Sequence, residues 1–108
     1  MNKHDLKSKA PTIADLRIRR DEIPRIAASH DAQNVRVFGS IARGEAIASS
    51  EVDILVDIVT DADGFEYFGL VEDLRRDLEA LLGRHVYIVD SSALKRRRDR
   101  VLSEAVPL

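Results

Sequence analysis

The sequence predicts an α/β (α+β) domain: a short mixed sheet with helices packed on one face. Three observations predict it. Residues 51–58 alternate strictly, with Val52, Ile54, Val56 and Ile58 on one side and Glu51, Asp53, Leu55 and Asp57 on the other, the period of a strand. Residues 65–82 instead carry apolar side chains at helical spacing, through Leu74, Leu78, Leu81 and Leu82, and stop at Gly83. Short runs rich in β-branched and aromatic residues at 34–38 and 85–89 flank these segments, so strands and helices interleave along the chain.

The 108 residues suit one domain, over 12–108, behind a polar lead-in at 1–11 that is expected to be poorly ordered. From Thr12, the apolar residues Ile13, Leu16, Ile23, Ile26 and Ala27 recur at helical spacing. Pro24 is costly inside a helix and accepted in a first turn, so the segment is either two short helices broken near Arg20-Asp21 or one kinked helix ending near His30. A strand at 34–38 and a loop at 39–50 follow, the loop with a helical turn at 40–43. After the strand at 51–58 comes a turn at 60–64, where Asp63 and Glu66 have capping-box spacing. Phe65, Phe68 and Val71 open the next helical stripe and are expected in the core, with Tyr67 off it. A third strand at 85–89 leads to a last helix, with Ser91 as cap and Leu94, Val101, Leu102 and Ala105 as its apolar stripe.

Composition narrows the function. Lys and Arg number 17 against 19 Asp and Glu, a net charge of −2 that selects neither nucleic acid nor membrane as partner. There is no cysteine, which excludes disulfides and thiolate metal sites. His4, His30 and His85 lie too far apart for zinc spacing and read as ordinary surface residues. The first twelve residues lack an apolar signal core, and no apolar run reaches bilayer length, so a cytoplasmic location without a membrane partner is expected. Lys95-Arg96-Arg97-Arg98-Asp99-Arg100 is the one dense basic cluster: a solvated helix face, or a contact with phosphates, an acidic partner or RNA. The five aromatic residues are too few for an RNA-stacking platform, so nucleic acid is not expected as a direct ligand.

The chemistry concentrates in Gly39-Ser40, ten intervening residues, and Glu51-Val52-Asp53. Acids at i and i+2 of a strand face the same way, roughly 6.6 Å apart at Cα. That spacing lets both carboxylates converge on magnesium carrying a nucleoside triphosphate. A Gly-Ser turn leaving the preceding strand offers backbone N–H groups and a hydroxyl to phosphates. Taken singly, alternating acids are commonly a solvated sheet face and Gly-Ser a plain turn. Joined in one frame, they make a nucleotide site.

These residues, with Arg43-Gly44 between the two halves and Leu55-Val56-Asp57 after them, resemble the polymerase-beta-type nucleotidyltransferase superfamily. The run Arg19-Arg20-Asp21-Glu22-Ile23, the stretch Leu81-Leu82-Gly83-Arg84 and the ending Val101-Leu102-Ser103-Glu104-Ala105-Val106 make the chain similar to the minimal nucleotidyltransferases, the MntA-type antitoxins. The resemblance implies a bacterial toxin–antitoxin module, with a HEPN-domain ribonuclease toxin as partner. It also implies transfer of AMP from ATP to a tyrosine of that toxin. Gly39 and Ser40 would hold the triphosphate, and Glu51 and Asp53 would ligate Mg²⁺ as catalytic acids. Arg43 is a phosphate contact by its chemistry, or a solvated charge on the loop.

Two departures from that pattern bear on activity. Glu51 stands where the first acid is usually Asp, which displaces its carboxylate by about 1 Å or more. Where the minimal family reads lysine-valine-aspartate after Leu-Gly-Arg, this chain reads His85-Val86-Tyr87, so the third acid becomes Tyr87. A phenol is neutral at pH 7 and a weak ligand for hard cations, so transfer should be slowed while one Mg²⁺–ATP still binds. The alternative is a catalytically weakened antitoxin that neutralises its toxin by binding. A nucleotide sensor with neither activity is a third reading. Asp57, roughly 13 Å beyond Asp53 along the strand, and Asp90, of the wrong parity, do not replace the missing acid.

Overall fold

The structure, a computed structural model, describes residues 9–108; the expectation for the lead-in at 1–8 lies outside the described residues. Helix α1 (Ile13–Arg17) starts at Thr12, whose hydroxyl accepts the Asp15 amide at 3.1 Å while the Asp15 carboxylate accepts the Thr12 amide at 3.0 Å. This reciprocal cap is what makes a five-residue helix begin here. Helix α2 (Glu22–Ala28) follows a break and carries Pro24 in its first turn, where no backbone donor is lost. Two short helices, rather than one kinked helix, thus lead into the sheet.

Strand β1 (Ala32–Phe38) runs into α3 (Gly39–Arg43), and β2 (Val52–Ile58) follows the loop. Helix α4 (Gly64–Leu82) crosses to β3 (Val86–Asp90), and α5 (Arg98–Glu104) leads to β4 (Val106–Pro107). The strands lie in the order β3-β2-β1-β4, with β1 antiparallel to β2 and β4, and β2 parallel to β3. The sheet is therefore mixed, as expected. Its fourth strand was not anticipated. A shift of register between Gln33 and Arg36 places Asn34 at φ 55°, a bulge that asparagine tolerates.

The alternation of β2 sorts the core. Val52, Ile54 and Val56 face a cluster with Leu16 of α1, Ile23 and Ala27 of α2, and Leu74 and Leu78 of α4. The opposite face carries a smaller cluster of Phe38, Leu55 and Val101, which brings α5 onto the sheet beside Asp53. At roughly 1.5–3 kcal/mol per buried large apolar side chain, the first cluster dominates stability.

Several local expectations are corrected. Phe65 and Phe68 are 95% and 70% exposed, not core: in the first turns of α4 it is Tyr67 that turns to the sheet, donating to Asp90 at 2.7 Å. Asp63 is the N-cap of α4, yet its side chain makes no capping bond and no capping box forms. Ser91 does not cap α5. It opens a short 3₁₀ turn capped by Asp90, whose carboxylate accepts the Ser92 amide at 3.2 Å. In α5 only Val101 is buried, and Leu102 is exposed.

Candidate active site

The site is built where β1 ends against β2. Phe38 pairs with Asp53 in the antiparallel ladder, so Gly39, the next residue, turns over the Asp53 side chain. Gly39 is buried with φ +74°, and a Cβ placed there would lie 2.1 Å from Asp53 Oδ2. Glycine is required twice, by the left-handed backbone and by the carboxylate that fills the space of a side chain. Ser40 follows, half-buried, with a hydroxyl that makes no hydrogen bond among the described residues.

Asp53 is half-buried and Glu51 is exposed just ahead of β2. Burial first, and the neighbouring Glu51 charge second, push the Asp53 carboxyl above the usual aspartate range; Arg43 opposes this in part and Glu104 adds to it. Two carboxylates crowded so that one resists ionising are the electrostatic complement of a divalent cation. No group of three or more His, Cys, Asp or Glu side chains able to hold a metal occurs among the described residues. Two carboxylates are a donor set that suits a divalent cation carried in by a phosphorylated substrate, for which Glu51 and Asp53 would supply the protein oxygens.

Beside the acids lies an anion cradle. The Gly39 amide donates to Glu104 Oε1 at 3.0 Å, and Arg43 Nη1 donates to both Glu104 oxygens at 3.2 Å. Arg43 also pairs with Glu45 at 2.9 Å. The Glu104 carboxylate is thus an internal stand-in for an anion on Gly39 and Arg43. Sequence reasoning missed Glu104: it lies 65 residues from Gly39, and no spacing links them.

Tyr87 sits level with Asp53, its partner across the parallel β2–β3 ladder, and is 51% exposed. An acid at 87 would face the pair; a phenol stands there instead. Asp57 and Asp90 are committed elsewhere. Asp57 accepts from Ser91 Oγ at 2.5 Å, Arg36 Nη2 at 2.7 Å and Asn34 Nδ2 at 2.9 Å, and the Ser91 hydroxyl is the largest influence lowering its pKa. Asp90 is buried and accepts the Tyr67 hydroxyl at 2.7 Å, which, with burial as the larger cause, pushes the Tyr67 phenol up to about 12. His30 and His85 serve as partners of Asp77 and Glu79.

Residues 20–107 match the model of the nucleotidyltransferase domain. The chain belongs to the nucleotidyltransferase family. Among the family's proteins it is similar to a candidate protein adenylyltransferase of Methanocaldococcus jannaschii, 36% identical over 82% of this chain and 91% of that one. It is also similar to the protein adenylyltransferase MntA of Thermococcus cleftensis, 37% identical over 69% of this chain and 80% of that one. A solved structure of a candidate minimal nucleotidyltransferase superposes with a TM-score of 0.76 at 40% identity, covering 91% of this chain and 97% of that one. A toxin–antitoxin crystal structure with AMP-PNP shares the fold at a TM-score of 0.64 and 19% identity, over 82% and 70% of the two chains. This nucleotidyltransferase contains no helix, among the described residues, long and apolar enough to cross a membrane.

Proposed function

We propose that this nucleotidyltransferase is the antitoxin of a toxin–antitoxin pair, and that it moves AMP from ATP to a tyrosine hydroxyl of a HEPN-domain toxin in the cytoplasm. The observation that carries the reading is the Asp53 carboxylate seated against Gly39, with Glu51 before it and the Gly39–Arg43 anion cradle beside it. The adenylyltransferase names of the two relatives support the reaction, and the toxin–antitoxin structure of like fold supports the partner class.

In that reaction the tyrosine oxygen attacks the α-phosphorus, the bond to the bridging oxygen breaks, pyrophosphate leaves, and the phenolic proton passes to base or solvent. Glu51 and Asp53 would hold Mg²⁺, which supplies charge neutralisation on the triphosphate. Gly39 N–H, the Ser40 hydroxyl and Arg43 would take phosphate oxygens once Glu104 is displaced. The half-burial of Asp53 limits water around the acids and strengthens their field.

A second reading, neutralisation by docking with weakened transfer, is favoured by one observation: Tyr87 is the ladder partner of Asp53. The two readings part in a single experiment. The protein encoded beside this chain is mixed with it, ATP and Mg²⁺, and then weighed by mass spectrometry. Addition of AMP to a tyrosine supports transfer. An unmodified partner in a stable complex supports docking alone, and an unmodified partner without a complex refutes both.

A further inference from the structure

Two exposed rings, Phe68 and Tyr87, meet the start of the basic cluster in one place. A groove of about 390 Å³ runs along the sheet edge formed by β3, between the start of α4 and the segment that precedes α5. Phe68 forms part of one wall, and Lys95, Arg96 and Arg97 form part of the other. Tyr87 also lines it, and as the ladder partner of Asp53 it joins the groove to the acid pair.

Two features of this groove call for an external occupant. Phe68 is 70% exposed in a chain with only five aromatic residues, and a partner covering it would remove that apolar surface from water. The cations are also unmatched. Arg36, Arg43 and Arg75 each pair with a carboxylate, whereas Lys95, Arg96, Arg97, Arg98 and Arg100 make no ion pair among the described residues. Charge complementarity therefore specifies an acidic occupant, and the uncovered ring specifies an apolar or aromatic side chain within it.

We infer that this groove is the docking surface for an acidic segment of the protein acceptor, which it feeds toward the acid pair. The inference rests on the proposed transfer to a protein hydroxyl and adds where, and by what chemistry, that acceptor is held. An acidic peptide fits better than RNA. The chain has only five aromatic residues, too few for a base-stacking platform.

The test uses the full chain and a fluorescein-labelled random copolymer of glutamate and tyrosine, read by anisotropy at several salt concentrations. A lysine–tyrosine copolymer and a single-stranded oligouridylate are the controls. The acidic copolymer should bind with an affinity that falls as salt rises. Phe68→Ser and, separately, the pair Arg96→Ser and Arg97→Ser should each weaken it about tenfold or more, with Mg²⁺–ATP affinity by calorimetry unchanged. Tighter binding of the oligouridylate or the lysine copolymer would overturn the inference. So would copolymer binding indifferent to both variants, or a parallel loss of Mg²⁺–ATP affinity, which would make the groove a nucleotide-base pocket. Failure of the transfer reading itself shows elsewhere, as a partner left without added AMP in the mass-spectrometric assay.

Discussion

Gly39 and Asp53 occupy one another's space: the volume a side chain at 39 would need is filled by the Asp53 carboxylate, 2.1 Å from an ideal Cβ. One contact ties the turn proposed to hold phosphate to the acid proposed to hold metal. Neither can be altered without moving the other.

Gly39→Ala is the sharpest probe of that contact. The left-handed backbone at φ +74° adds about 1–2 kcal/mol of strain, and the new methyl group displaces the carboxylate. A fold worth about 5–15 kcal/mol survives this, so thermal melts should still be cooperative. Mg²⁺–ATP affinity by calorimetry should drop at least tenfold.

Asp53 sets a pH dependence. Its pKa is raised by burial and by Glu51, so the proton competes with magnesium at a higher pH than at an ordinary aspartate. Mg²⁺–ATP affinity should fall as pH falls through that raised value, and Asp53→Asn should remove this limb. The sign for metal-free stability is opposite. Above the raised pKa the folded chain carries an unfavourable charge, so this group's contribution to stability improves as pH drops through it. Titration calorimetry and melting curves across the acidic range check both directions.

Glu104 occupies the Gly39 amide and Arg43, the groups proposed to take phosphate oxygens. Glu104→Ala empties the cradle, so Mg²⁺–ATP should bind about three- to tenfold tighter, since the competent state no longer has to be freed first. The loss of its hydrogen bonds should lower stability by about 1 kcal/mol. Unchanged or weaker nucleotide binding in this variant would remove Glu104 from the account.

Tyr87→Asp restores an acid on the strand beside Asp53. The AMP-transfer rate to the partner should rise at least tenfold, with Mg²⁺–ATP affinity altered much less. Mass spectrometry over a time course gives the rate.

Much of this was legible because short-range rules governed it. Period-two alternation placed Asp53 on the face opposite Val52, Ile54 and Val56, which are in the core, and antiparallel pairing of the two strands brings Phe38 level with Asp53 and so Gly39 beside it. Glu104 was not legible, since its link to Gly39 spans 65 residues and arises from how α5 lands on Leu55. Phe65 and Phe68 were misread for a geometric reason. Tyr67, off the apolar stripe, takes the place that faces β3 by donating to Asp90, which leaves both phenylalanines largely exposed. Strand β4, two residues with one a proline, is too short to show any period.

The central claim is that Glu51 and Asp53 hold a magnesium-bound nucleotide over Gly39. Calorimetric titration of AMP-PNP into the wild type, Glu51→Gln and Asp53→Asn, with Mg²⁺ and then with EDTA, tests it most directly. The account predicts saturable binding by the wild type only when Mg²⁺ is present, and at least a tenfold loss in each variant. Binding that persists in EDTA, or that both substitutions leave unchanged, would contradict it.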